Sequence, residues 1–248
     1  MNRSPIPKAL STIFNSRVRA LLMGGQACIL YGAAEFSRDI DLAILASADN
    51  LNHLQTVLDR LQAETMYVPD LSREVLERGH ACHFRCGAPG VEGLRIDVMG
   101  KLRGLPNFEV LWNRRLEIVL PEVCAVPVMA LEDLVRAKKT QRDKDWPMIR
   151  RLIEADYYQR HTTASEENVR FWLAECRTPD ILQEIVGKYP GLTRDMVESR
   201  PLLGSVLAGR RTDVEGLLYD EEDRERRLDR SYWAPLREEL AAWRRRRG

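Results

Sequence analysis

No stretch of this 248-residue chain approaches the roughly 18 consecutive apolar residues that a membrane-spanning helix needs. The opening MNRSPIPKAL lacks the apolar core of a secretory signal peptide, so the expected setting is the cytoplasm with no membrane engaged. Net charge is almost absent too. Thirty-eight basic residues against 37 acidic leave +1, so the sum of the charges points to no class of partner and their distribution must. Cysteine is sparse and odd in number: Cys28, Cys82, Cys86, Cys124 and Cys176 are scattered, mostly among apolar residues, which argues against a disulfide framework and for reduced thiols. There is no internal repeat. The dinucleotide fingerprint and the Gly-Lys-Ser/Thr of a P-loop are both missing, which excludes the two commonest glycine-based nucleotide sites. What is present is a composition 44% hydrophobic, enough for a real core.

The chain opens with strand-like and helix-like segments in alternation. Val18 to Met23 is an apolar run that stops at Gly24-Gly25. From Gln26 to Ala34 apolar residues surround the whole helical circumference, and Ile40 to Ala46 again reads as a strand. Ser47 to Asn50 offers helix caps ahead of Leu51, Leu54, Val57, Leu58 and Leu61, which recur at helical spacing. Two further strands are expected over His80 to Cys86 and Leu94 to Met99, joined by a Gly- and Pro-rich loop, and another pair over Leu116 to Leu120 and Val123 to Val128. After Leu131 nearly everything reads as helix: Leu131 to Arg142, Trp146 to Ile153 and on towards Tyr157, then four or five more. The expected architecture is therefore α/β (α+β), with a short mixed sheet and an all-helical C-terminal region. A boundary near residue 160 gives domains over 1–160 and 161–248.

The chemistry collects around the first strands. Asp39 and Asp41 are one residue apart, so in a strand they share a face with α-carbons roughly 6.5 Å apart, while Ile40, Leu42 and Ile44 turn to the core. Two such carboxylates can bridge a pair of divalent cations, the arrangement used for in-line displacement at phosphorus. Asp97 lies in the apolar run Leu94-Arg95-Ile96-Asp97-Val98-Met99, and a carboxylate buried there needs a partner. A metal shared with Asp39 and Asp41 would serve; so would Arg95 or another cation. Gly24-Gly25 lets backbone approach a ligand closely ahead of a helix start, which suits an anion.

The glycine pair, the helix, Ser37-x-Asp39-Ile40-Asp41-Leu42 and the strand Asp97 together resemble the minimal nucleotidyltransferase fold of the DNA polymerase β-like superfamily. They look most like the bacterial group of AbiEii-type toxin nucleotidyltransferases. The match covers about residues 18 to 155, including Leu131-Glu132-Asp133-Leu134, Lys138-Lys139 and Arg142-x-x-Asp145. The resemblance implies that Asp39, Asp41 and Asp97 bind Mg2+ (or Mn2+). It places the triphosphate of a nucleoside triphosphate at Gly24 and Gly25, with Ser37, Arg38, Lys138, Lys139 and Arg142 as further nucleotide contacts. Residues 138 or 139 and 142 share a face if they are helical, and the choice between the two lysines stays open. It further implies transfer of a nucleoside monophosphate to an acceptor hydroxyl on RNA or tRNA, on protein or on a small molecule, a toxin or defence role, and an antitoxin partner. Two positions depart from the pattern: Gly25 stands where many members carry serine, and Glu35 stands where arginine is common, with Arg38 the nearest base to offset it. Those departures motivate an alternative, a module of the same fold that binds nucleotide, RNA or a protein partner with little or no chemistry. A hydrolase using the same carboxylates is a third reading.

Two other clusters invite chemistry and have plainer explanations. His80, Cys82, His83 and Cys86 suggest zinc, yet in a strand Cys82 and Cys86 are roughly 13 Å apart, too far to share a tetrahedral ion. The run Arg244 to Arg247, with Tyr232, Trp233 and Trp243 nearby, could meet RNA phosphates but reads more simply as a solvated helix end.

Overall fold

The computed structural model describes residues 4–121, 123–209 and 213–247; the side chains of Cys124 and Arg247 lie outside the described residues. The chain forms two compact units, one of Met1–Leu30, Ala34–Ala137 and Tyr232–Gly248, the other of Tyr31–Ala33 and Lys138–Ser231.

The first unit is built on a seven-stranded mixed sheet. Its strands are β1 (Ala20–Met23), β2 (Asp39–Ile44), β3 (Ala63–Thr65), β4 (Ala81–Cys86), β5 (Arg95–Met99), β6 (Leu116–Leu120) and β7 (Cys124–Val128), in the order β3-β4-β5-β2-β1-β7-β6. The aspartate-bearing β2 takes the middle place, antiparallel to β1 and parallel to β5. Burial alternates as the pleat requires. On β2, Ile40, Leu42 and Ile44 are fully buried, and on β4, Cys82, Phe84 and Cys86 are buried while Arg85 is exposed.

Short helices frame this sheet. In α1 (Pro5–Phe14), the Ser4 hydroxyl accepts the Ile6 N–H, Pro5 supplies a preset first turn, and Ala9, Leu10 and Ile13 are buried. α2 (Gly24–Leu30) follows β1 without an intervening residue and stops ahead of Gly32, shorter than the expected segment to Ala34. α3 (Ala48–Arg60) is capped by Ser47, which accepts the Asn50 N–H, and buries Leu54, Val57 and Leu58. Asn50 is itself a tie. Its amide accepts the Arg19 N–H at 2.7 Å and donates to the carbonyls of Arg19 at 3.0 Å and Leu45 at 2.8 Å, pinning the start of β1 to the end of β2. α4 (Arg73–Arg78), α5 (Phe108–Arg114) and α6 (Leu131–Ala137) complete the set.

The second unit is helical: α7 (Asp145–Arg160), α8 (Glu166–Glu175), α9 (Pro179–Lys188), α10 (Pro190–Met196), α11 (Leu202–Leu207) and the first part of α12 (Val214–Arg247), whose stretch from Tyr232 belongs to the first unit. Trp172, fully buried, donates its indole N–H to Asp156 at 2.8 Å and meets the Tyr157 ring edge-on at 5.0 Å. A Ser165–Asn168 capping box starts α8.

One expected element is corrected. The helix read from Leu131 to Arg142 ends at Ala137, and residues 138–144 are a turn and loop. The cause is Asp145, buried at the start of α7: Lys138 Nζ reaches it at 3.2 Å, Thr140 Oγ1 at 2.5 Å and Arg142 Nε at 2.7 Å. Gathering three donors onto one carboxylate requires the segment to curl. No described helix is long and apolar enough to cross a membrane.

Candidate active site on the sheet face

Register brings the three aspartates together. In the parallel pair β2–β5, Asp41 lies opposite Asp97 and Asp39 opposite Arg95. Neighbouring strands are about 4.8 Å apart and residues two apart share a face, so Asp39, Asp41 and Asp97 form one cluster on the face turned away from Ile40 and Leu42. The antiparallel pair β4–β5 extends the row, with His83 opposite Asp97 and Arg85 opposite Arg95.

Asp97 is 7% exposed, and its charge is answered from within the sheet. Arg95 donates Nε–H to Oδ1 and an Nη2–H to Oδ2, both at 2.7 Å, a forked geometry that satisfies both oxygens. The His83 ring nitrogen Nδ1 stands 2.8 Å from Oδ1. Burial alone would raise the Asp97 pKa, but the hydrogen bonds and charges of His83 and Arg95 outweigh it and hold the carboxyl below its ordinary value. The guanidinium of Arg95 is correspondingly raised, chiefly by its hydrogen bond to Asp97. Arg95, one of the partners the sequence offered for Asp97, is paired with it. Its signal was the two-residue spacing, which puts both side chains on one face.

The glycine turn sits against the same cluster. Gly24 has a φ of +66°, and a Cβ built on it would lie 1.8 Å from Asp41 Oδ2, so the absence of a side chain is what lets Asp41 stand there. The Gly25 N–H points to the same oxygen at 3.4 Å. A Cβ on Gly25 would lie 2.4 Å from the Ser37 hydroxyl, which therefore fills the space a residue 25 side chain would take. Ser37 is held in turn: its hydroxyl donates to the Asp39 carbonyl at 3.3 Å, and its own carbonyl accepts from buried Gln26 at 3.1 Å. Arg38 is exposed, with its guanidinium 5.7 Å from the Phe36 ring. Glu35 lines a cavity of about 360 Å³ with Leu10, Leu22, Ile29, Phe36 and Leu120. Leu22 pairs with Leu42, so its side chain lies on the face opposite Asp41.

The expected cations at 138–142 belong to the second unit. Lys138 and Lys139 are largely buried there, Lys138 on Asp145 and Lys139 on Glu175 at 2.6 Å; Arg142, paired with Asp145, keeps 57% of its side chain exposed. Burial would raise the Asp145 pKa, but the charge of Lys138, with Thr140 and Arg142, holds it below the ordinary carboxylate range. The His80–Cys86 cluster is split by the pleat. Cys82 and Cys86 are buried thiols that burial pushes up to about 12 and about 11, and His83 is on the opposite face.

The oxygen-only donor set of Asp39, Asp41 and Asp97 has the chemistry of a Mg2+ or Mn2+ site. No group of three or more His, Cys, Asp or Glu among the described residues is placed to hold a metal ion, and both oxygens of Asp97 are bonded to Arg95.

No protein-family model matches the chain, and no curated protein matches it. Solved structures do. A candidate nucleotidyltransferase from Thermotoga maritima is 14% identical over 53% of this chain and 79% of its own, with a TM-score of 0.38. A candidate nucleotidyltransferase from H. pylori is 15% identical over 92% and 93%, with a TM-score of 0.41. The Helicobacter pylori protein JHP933 is 14% identical over 96% and 94%, with a TM-score of 0.38. At these identities and scores the likenesses carry no chemistry over to this chain.

Proposed function

We propose that this protein is a metal-assisted nucleotidyltransferase that moves a nucleoside monophosphate from a nucleoside triphosphate to an acceptor hydroxyl. One observation carries the reading: Asp41 and Asp97 are register partners on adjacent strands, with Asp39 on the same face and a side-chain-free glycine pressed against Asp41.

Asp39 and Asp41 would hold Mg2+ or Mn2+, with Asp97, now bonded to Arg95 and His83, as the third candidate ligand. Divalent cations so held would supply neutralisation of phosphate charge and a lowered pKa for the attacking hydroxyl. The Asp97 carboxylate takes the proton of that hydroxyl as its oxygen bonds to the α-phosphorus. The bond from phosphorus to the bridging oxygen breaks, and pyrophosphate leaves with the electron pair. On the resemblance, Gly24, Gly25 and Ser37 would meet the triphosphate, and exposed Arg38 would offer charge. Lys138, Lys139 and Arg142 enter this reading on the resemblance alone, and Arg142, the most exposed, is the first to test. A toxin or defence role with an antitoxin partner belongs to the same reading.

The test is transfer of label from an α-labelled triphosphate to RNA, to protein or to the chain itself. Asp39→Asn and Asp41→Asn should each abolish it. Wild-type protein that transfers no label to any acceptor, indistinguishable from Asp39→Asn, would overturn the proposal. The forked Arg95–Asp97 pair favours one second reading, a binding module without chemistry; Mg-dependent triphosphate binding by calorimetry without turnover would select it.

A further inference from the structure

We infer that the open face of β4 and the end of β3, beside the carboxylates, is a docking strip for a single-stranded oligonucleotide. The acceptor class that follows, a nucleic-acid end, rests on the transfer reading above; the strip itself does not.

The first ground is charge. Arg85 and Arg95 lie directly opposite one another on neighbouring strands of the same face as Asp39, Asp41 and Asp97. Like charges in that relation destabilise a sheet. Arg95 is answered by Asp97, but Arg85 is exposed, and among the described residues no hydrogen bond or ion pair engages it, although Glu64 lies across from it on β3. A phosphate at Arg85 would give its guanidinium the charged partner that Arg95 has in Asp97.

The second ground is an aromatic surface at the right place. Just past β3, Tyr67 is 51% exposed and stands edge-on to the His83 ring, centroids 6.1 Å apart at 73°. Its position is fixed from the backbone, because Met66 donates its N–H to the His83 carbonyl at 2.8 Å. A guanidinium for phosphate beside a flat ring for a base is the pairing that single-strand binders use without sequence preference.

The third ground is distance. Arg85 is one strand across from Asp97 and two residues along, about 8 Å between α-carbons from strand spacing and rise. An arginine there meets a phosphate near the terminus when the end hydroxyl is at Asp97. A protein acceptor presents no such phosphate.

The probe is a 5′-fluorescein RNA decamer with a free 3′-hydroxyl, followed by anisotropy across a salt series with the full chain. Wild-type binding should weaken as salt rises. Arg85→Ala should lower the magnitude of the log–log salt slope by about 0.7, the share of one phosphate contact on a single strand. Tyr67→Ala should weaken binding about tenfold at unchanged slope, with Tyr67→Phe restoring it. Calorimetric binding of Mg-ATP should be the same in all three variants, which also shows that they fold. Decamer binding that is absent in the wild type, or unchanged in Arg85→Ala and Tyr67→Ala, overturns the strip, and label appearing only in polypeptide overturns the acceptor class. If the decamer behaves as expected but Mg-ATP does not bind the wild type, the transfer reading fails and the strip stands.

Discussion

Replacing Gly24 by alanine should damage the fold and the site through a single collision. Alanine in the left-handed region that Gly24 occupies costs roughly 1–2 kcal/mol before any contact is considered. The new methyl carbon would then meet Asp41 Oδ2 at 1.8 Å, Cγ at 2.4 Å and Cβ at 2.6 Å. Rotating the Asp41 side chain clears the first two atoms but not the third, because Cβ is fixed by the β2 backbone. The turn or the strand must therefore shift, and overpacking of this kind typically costs about 1–3 kcal/mol. The sum, roughly 2–5 kcal/mol, corresponds to a fall of about 0.7–1.7 M in the urea midpoint for a slope of roughly 3 kcal/mol per molar. Label transfer should fall on the order of 10²-fold, the effect of displacing a reacting group by about 1 Å. Both are measurable on one preparation, by circular dichroism in urea and by the α-label assay. An alanine variant with the wild-type midpoint and wild-type transfer would refute the steric reasoning. A lowered midpoint with full transfer would refute the placement of Asp41 in the site.

Gly25→Ala should also destabilise, since its Cβ would meet the Ser37 hydroxyl at 2.4 Å and Ser37 Cβ at 2.8 Å, but here Ser37→Gly in the same chain should recover most of the loss in the urea midpoint. Asn50→Ala removes three bonds to backbone groups of Arg19 and Leu45 and should cost about 2–4 kcal/mol in chemical denaturation, given the usual penalty for leaving buried groups unpaired. Because the folded-state pKa of Asp145 is depressed, the stability it confers is complete above the unfolded value of about 3.9 and is lost as pH falls through the lower folded value. Asp145→Asn should lose about 3 kcal/mol near neutrality and show a flatter urea midpoint below pH ~4 than wild type.

Six of the seven strands were legible because their apolar runs end at glycine, proline or charge, and the helix over residues 48–60 because Ser47 precedes leucines at helical spacing; β3, the three residues Ala63–Thr65, has no apolar run to read. α1 carries the same kind of signal in Ser4-Pro5 with Ile6, Ala9, Leu10 and Ile13. Pairing was beyond reach of local pattern: nothing near residue 41 says that its neighbour is residue 97, because register between distant strands is set by the packing of the whole sheet. Within β5, by contrast, the two-residue spacing of Arg95 and Asp97 was open to reading. Lys138 to Arg142 misled for a physical reason. Lysine, glutamine and arginine are good helix formers, and what stops the helix is a buried carboxylate further on that draws their side chains inward.

The middle place of β2 has a consequence for how the site can be lost. Its amides are shielded by β1 on one side and β5 on the other, so they should exchange with solvent only through opening of the sheet as a whole, more slowly than those of β3 or β6 at the rims. Asp39 and Asp41 ride on that strand. Fraying of helices or edge strands leaves them where they are, and the cluster should survive every partial opening that spares the sheet centre.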